Sequence, residues 1–245
     1  MSVNNRYKDS VFSLLFSNPD TLRELYNALE GVNLPPAAPI TINTLSDVLF
    51  MERINDISFE IAGKLVVVME HQSTINPNMP LRCLIYLTRL YEKIIDSKDM
   101  YKNRVIPLPQ PECFVLYNGK AEYPDETILK ISDAFVSVKE LGITEKLPPD
   151  LELIVRVINI NQGRNEEVIG RCEKLREYSA FIATAREYEG RLRSREAGVR
   201  AAVKYCIEQR ILEGFLKEHG SEVVNMLFTE WNWDDALAVR YEEGK

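Results

Sequence analysis

The chain is poor in the residues that build most metal and redox centres. Its 245 residues include two histidines and four cysteines. His71 and His219 are too few for a histidine cage, and Cys83, Cys113, Cys172 and Cys206 stand too far apart for a zinc motif. That scatter fits reduced, mostly buried thiols of a cytoplasmic protein and excludes a disulfide framework. No run of about 18 apolar residues occurs, so neither a membrane-spanning helix nor a membrane partner is expected. The opening MSVNNRYKDS lacks the apolar core of a signal peptide, which again points to the cytoplasm. The net charge of −7 argues against tight nonspecific DNA binding by the surface as a whole. The charge is unevenly spread, however: Arg156 to Arg210 carries 12 Lys/Arg against 8 Asp/Glu. Two readings stay open for this basic segment. It could touch a phosphate backbone, or it could be a solvated helix face laced with i,i+4 ion pairs.

What is present is a mixed pattern of elements. Val11, Phe12, Leu14, Leu15, Leu22, Leu25, Tyr26 and Leu29 recur at helical spacing, which predicts a helix from Asp9 to Leu29, kinked or split at Ser17-Asn18-Pro19. Gly31 and Pro35-Pro36 end it. One short strand is expected within 40–50, near Val48–Met51. The stretch NDISFEIAGKLVVVMEHQ, Asn55 to Gln72, reads as two strands joined by a tight turn. Asn76-Pro77-Asn78-Met79-Pro80 then starts a helix over Leu81 to Ile95. Strand-like runs follow at Arg104–Ile106, Cys113–Tyr117 and Thr127–Ile131. LELIVRVINI, Leu151 to Ile160, is the longest aliphatic run and suits a strand buried on both faces. From Glu166 onward only helical periodicity remains. The expected organisation is an α/β domain over residues 1–163 followed by an all-helical region over 164–245. Apolar faces in that region, one with Tyr178, Phe181, Ile182 and Tyr188 and one with Cys206, Ile207, Ile211 and Phe215, would allow homodimerisation.

Parity sharpens the hairpin. Side chains alternate along a strand, so Ile57, Phe59, Ile61, Leu65, Val67 and Met69 share an apolar face expected to be the deeply buried one. Asp56, Ser58, Glu60, Val66, Val68, Glu70 and Gln72 take the other. Matching the faces requires paired numbers with an even sum. A loop of Ala62-Gly63-Lys64 then pairs Ile57 with Met69, Phe59 with Val67 and Ile61 with Leu65. It also sets Asp56 opposite Glu70, with Cβ atoms roughly 4.5–5.5 Å apart. Gly63 is available for the left-handed residue such a loop needs. Two carboxylates facing each other repel, and a divalent ion between them reverses the sign. Oxygen donors of this kind suit Mg²⁺ or Mn²⁺. Gln72 is close enough to hold a water or a phosphate oxygen. The other reading is a solvent-facing hairpin with incidental acids.

The pattern Asp56-x13-Glu70-x-Gln72 resembles the core of PD-(D/E)xK nucleases. More specifically, YKDSVFSLLFSNPDTLRELYNAL, the hairpin and EHQSTINPNMPLRCLIYLTRLYEKI look like the Rpn family of recombination-promoting nucleases, often labelled PD-(D/E)xK family transposases. The later AVKYCIEQRILEGFLKEHGSEVVNMLFTEWNWDDALAVRYEEGK looks like the helical C-terminal part of such proteins. The resemblance implies a restriction-endonuclease-like α/β fold, with a mixed central sheet flanked by helices, and a Mg²⁺-dependent DNA endonuclease linked to recombination or phage defence. It implies Asp56 and Glu70 as metal ligands and Gln72 at the position where the wider superfamily has Lys, whose charge a neutral amide does not supply. The superfamily also places an acid on the first helix. Asp9 is the first choice, with helix N-capping as its other reading, and Glu24 the second. Arg82, near the start of the following helix, would contact a phosphate or form a surface salt bridge. His71 is expected to be structural, and Tyr86 and Tyr91 to be core or rim aromatics. The alternatives in other functional classes are a catalytically weak or inactive DNA-binding homologue and a dimerising interaction protein on the same fold.

Overall fold

The computed structural model describes residues 11–43 and 56–227. Asp9 and the strand expected near Val48–Met51 lie outside the described residues. The chain divides into two compact units that do not follow it linearly. One comprises 37–117 and 121–159; the other comprises 1–36, 118–120 and 160–245.

The first unit holds a six-stranded mixed sheet. Its strands are β1 (Ile40–Ile42), β2 (Ile57–Ile61), β3 (Leu65–Gln72), β4 (Gln110–Tyr117), β5 (Glu126–Lys130) and β6 (Ile154–Asn159). Their spatial order is β1-β2-β3-β4-β6-β5. The neighbours β1, β2 and β3 run antiparallel, β3, β4 and β6 run parallel, and β5 closes the far edge antiparallel to β6. The hairpin has the register that parity predicts: Ile57 faces Met69, Phe59 faces Val67 and Ile61 faces Leu65. Its turn takes two left-handed residues, Ala62 at φ 52° and Gly63 at φ 64°, and Lys64 N–H closes it onto the Ile61 carbonyl at 2.9 Å. Gly63 accepts that backbone without strain, whereas Ala62 crowds its own Cβ.

The connection from β3 to β4 runs through helix α3 (Met79–Ile94), as a parallel pair requires. Asn76 Oδ1 accepts from Asn78 N–H at 2.9 Å, and Pro80 sits in the first turn, where its missing donor costs nothing. The apolar side of α3, with Met79, Cys83, Tyr86, Leu87 and Leu90, packs on Val66, Val68, Cys113, Val115, Val155 and Val157 of the sheet. This corrects the expectation of one buried hairpin face. Val66, Val67, Val68 and Met69 are all fully buried, so β3 is an interior strand on both sides. The face bearing Glu70 is therefore roofed by a helix and is not a solvent-facing one.

Arg104–Ile106 is not a strand. The run is exposed and irregular, with Val105 92% accessible, because Pro107, Pro109 and Pro111 follow at alternate positions and withdraw the donors a ladder needs. Pairing begins only at Gln110, whose N–H reaches the Lys64 carbonyl at 2.7 Å.

The second unit is helical. The long N-terminal helix is split into α1 (Val11–Leu15) and α2 (Pro19–Glu30). Asn18 accepts from Asp20 and Thr21 N–H at 3.1 and 3.0 Å, and Pro19 follows in the first turn, so a new helix start is built where the sequence suggests a kink. Gly31 at φ 64° ends α2. Then come α4 (Glu166–Arg171), α5 (Glu173–Leu192), α6 (Arg195–Glu208) and a further helix over residues 213–227. Gly198 of α6 rests directly on the backbone of α5: a Cβ there would lie 2.6 Å from Glu189 N and 2.7 Å from Glu189 Cα. Much of the basic segment is the solvated face that its spacing allows. Arg171–Glu167, Arg191–Glu187 and Arg200–Glu196 are exposed i,i+4 pairs at 2.6, 2.5 and 2.8 Å.

Candidate active site at the hairpin

Asp56 stands immediately before β2, one step beyond the Ile57–Met69 pair, which puts it opposite Glu70. Its carboxylate accepts from the His71 backbone N–H at 2.6 Å, and its own N–H donates to Glu70 Oε1 at 3.3 Å. The first contact is short, as charge-assisted bonds are. Both acids thus meet on the hairpin face that α3 covers.

Glu70 is 2% exposed. A carboxylate this buried requires a counter-charge or hydrogen-bond donors. Arg82, in the first turn of α3, provides one: Nη2 donates to Glu70 Oε2 at 2.6 Å and to Tyr86 Oη at 3.0 Å. Tyr86 follows Arg82 by four residues, so the two share one stripe of the helix. The guanidinium also lies 5.8 Å from the Tyr86 ring centroid. Burial by itself would lower the Arg82 pKa, but Glu70 first, then Tyr86 and Asp56, more than offset it and hold the guanidinium charged. Burial, helped by the Glu70 charge, pushes the Tyr86 phenol up to about 12, so it stands neutral beside the ion pair.

Gln72 shares the face of Glu70 and is partly exposed. Its Nε2 donates to Met79 Sδ at 2.8 Å, and Arg82 Nη1 approaches the same sulfur at 3.3 Å. Met79 thus bridges the end of β3 to the cationic side chain. His71 is half-buried on the opposite face. Tyr91 is tied away from the acids, its hydroxyl donating to the Pro109 carbonyl at 2.6 Å. Glu24 accepts from the Glu173 N–H at 2.9 Å at the start of α5, within the helical unit.

The location follows from topology. Glu70 and Gln72 line up with Val115 and Tyr117 of β4, and these with Val157 and Asn159 of β6. All lie at the carboxyl ends of three parallel strands, the edge where α/β sheets bind ligands. Asp56 reaches that edge because β2 runs antiparallel to β3. Among the described residues no group of three or more His, Cys, Asp and Glu could hold a metal. Asp56 and Glu70 nonetheless fit a hard divalent cation of the kind bound by one or two carboxylates and completed by water and phosphate oxygens. The donor set is all oxygen, as such a cation prefers.

Pairing of Arg82 with Glu70, and the support from Tyr86 and Met79, were not legible in the sequence. The signal was available in part: Arg82 and Tyr86 are four apart on a helix that begins just after the strand carrying Glu70.

Residues 42–163, about half of the chain, match the family described as "Putative transposase, YhgA-like". No curated protein and no solved structure matches the chain.

Proposed function

Because the chain belongs to the YhgA-like transposase family, a PD-(D/E)xK Rpn-type family of transposase-like, nuclease-type proteins, we propose that it is a Mg²⁺-dependent DNA endonuclease of the cytoplasm that hydrolyses phosphodiester bonds. The observation that carries this reading is the pairing of Asp56 with buried Glu70 at the carboxyl edge of the sheet, with the Arg82 guanidinium against Glu70.

Asp56 and Glu70 would hold the ion. Mn²⁺ is expected to substitute. Bound there, Mg²⁺ would lower the pKa of a water and offset the charge that builds on the scissile phosphate. Arg82 answers the difficulty raised by Gln72. The positive charge that the superfamily draws from a Lys on the strand is available here from the first turn of α3, against Glu70 itself. Tyr86 fixes the guanidinium, and Gln72 keeps the amide to orient a water or phosphate oxygen. Recombination and phage defence are both roles such an activity would serve.

The test is nicking of supercoiled plasmid with Mg²⁺, with Mn²⁺ and with EDTA, by the wild type, Asp56→Asn and Glu70→Gln. Cutting should require the metal. Each variant should lose about 100-fold or more, beyond the 10–100-fold that loss of a metal's outer-shell partner costs. Equal cutting by all three proteins, or cutting in EDTA, would sink the proposal. A second reading is favoured by one observation: Arg82 already neutralises Glu70, so the site is stable without metal. Retention of DNA with no nicking under any metal would identify a binding protein on the same fold.

A further inference from the structure

The sheet ends on a strand whose outer side is open. β5 pairs with β6, and among the described residues no strand pairs with its other edge. Its neighbour sets its phase. Buried Asn159 of β6 donates its backbone N–H to the Asp125 carbonyl at 2.8 Å and its Nδ2 to the Tyr123 carbonyl at 2.9 Å. Beyond the other end of β5, Ile131 N–H reaches the Leu153 carbonyl at 3.0 Å. Hydrogen-bonded pairs alternate along an antiparallel ladder, so the bonds to β6 fall on the odd-numbered residues of β5. The N–H and C=O groups of Glu126, Ile128 and Lys130 therefore point outward. Their side chains are exposed as well, Ile128 being 49% accessible, whereas Thr127 and Leu129 are half-buried.

An open edge is a template for another strand, and charges on it decide which strand is accepted. Glu126-Thr127-Ile128-Leu129-Lys130 carries an acid and a base equidistant from its central residue. Reading the strand backwards exchanges the two signs. A second copy laid antiparallel about Ile128 thus sets Glu126 opposite Lys130 at both ends, with Ile128 opposite its own counterpart in the middle. The same register makes each of these a hydrogen-bonded pair, so every outward backbone group of β5 finds a partner at once. A parallel arrangement would instead face Glu126 with Glu126 and Lys130 with Lys130. A shift by two residues would oppose Ile128 to a charge. Both charges also have neighbours within the chain: Glu126 makes a long pair with Arg156 at 3.9 Å, and Lys130 lies close to Glu152. Exposed contacts of this kind are weak and leave both side chains able to pair across an interface.

We propose that β5 is a self-pairing edge through which two copies of this chain form a two-fold dimer with one continuous sheet. The contact is isologous and closed, so assembly stops at two. The seam lies wholly within the sheet unit. Exposed Ile154, level with Lys130 on β6, adds apolar surface beside it. A short strand on each side buries less than a permanent interface does, so the dimer is weak and depends on concentration. The β6 strands of the two copies run antiparallel to each other, which turns the carboxyl edges of the two sheets opposite ways. Each copy keeps its own hairpin site.

The experiment is sedimentation velocity of the full chain over a concentration series reaching about 0.5 mM, which detects even a weak dimer. The wild type should pass from monomer to dimer and no further. Glu126→Lys and Lys130→Glu should each weaken dimerisation about tenfold, because both facing pairs of the dimer turn repulsive. An equimolar mixture of these two variants should associate like the wild type, since each then presents the opposite sign to the other at both ends. A merely structural role for either side chain would not produce that recovery. Ile128→Pro removes an outward N–H, a change an edge strand tolerates, and should abolish the dimer while melting like the wild-type monomer. If that variant does not fold, the two charge variants and their mixture still decide. A wild type that stays monomeric throughout overturns the proposal. So does a dimer that every variant keeps, which would put the interface on the apolar faces of the helical region. Loss of the dimer in both charge variants without recovery on mixing overturns it as well.

Discussion

Arg82→Ala is the most informative single change. The Glu70 and Arg82 side chains are 3% and 13% exposed and meet at 2.6 Å. Removing the guanidinium takes from a buried carboxylate the counter-charge that meets it at 2.6 Å, with Asp56 still its neighbour. Breaking a buried pair from one side costs about 3–5 kcal/mol, or roughly 10 °C in midpoint at about 2–4 °C per kcal/mol for a chain of this size. Two additions make the reasoning refutable. Glu70→Gln in the same background should recover most of the loss, since the buried charge and not the missing contact carries the penalty. Mg²⁺ should stabilise Arg82→Ala more than the wild type, by up to about 2.7 kcal/mol at a hundredfold excess over its dissociation constant, because the ion then takes the place of the lost guanidinium. Thermal melts of the wild type, Arg82→Ala and the double variant with and without Mg²⁺ provide the numbers. A loss under about 1 kcal/mol, the range of exposed pairs, or a double variant as unstable as Arg82→Ala, would refute the account.

Other outcomes follow from features remote from the acids. Ala62→Gly should stabilise the protein by about 1 kcal/mol, because it relieves a left-handed alanine in the hairpin turn; a lower melting midpoint would argue against that strain. Gly198→Ala should cost about 1–3 kcal/mol, as overpacking does, since the new Cβ would meet the Glu189 backbone and not a movable side chain; urea titration measures it. All four thiols are buried and free, so native alkylation should be slow and denatured alkylation should count four. Burial raises the Cys172 and Cys206 thiols to about 12 and about 11. The folded state therefore disfavours the thiolate. The sign is that stability is full below the unfolded value of about 8.5 and falls as pH rises above it. Cys172→Ala should flatten that alkaline decline, which melts at rising pH would detect.

The hairpin was legible because parity and a glycine are local facts. Parity left only the even-sum pairings of Ile57, Phe59, Val67 and Met69, and the three-residue loop chose the one that sets Asp56 against Glu70. The burial of the opposite face was not legible, because Val66 and Val68 alternate with residues equally apolar, and only the return of α3 over them decides the matter. Arg82 was read as a surface or phosphate-facing side chain for the same reason. Its partner is twelve residues away across an irregular turn, and no periodicity spans such a path. The strand expected at Arg104–Ile106 failed through a local rule, since the prolines that follow were in plain view. The i,i+4 pairs of Arg171, Arg191 and Arg200 were open to reading from spacing along one helix, whereas the α5–α6 crossing at Gly198 was not.

The turn at Ala62-Gly63-Lys64 lies at the opposite end of the hairpin from the acids, yet it decides which way they point. Adding one residue there would shift the phase of one strand against the other and send Asp56 or Glu70 to the wrong side, whatever residue was added. Adding two would restore the phase. Substitutions in the turn, by contrast, adjust stability and leave the pairing alone. Changes in chain length at this turn, more than changes in its chemistry, are what the nuclease site cannot absorb.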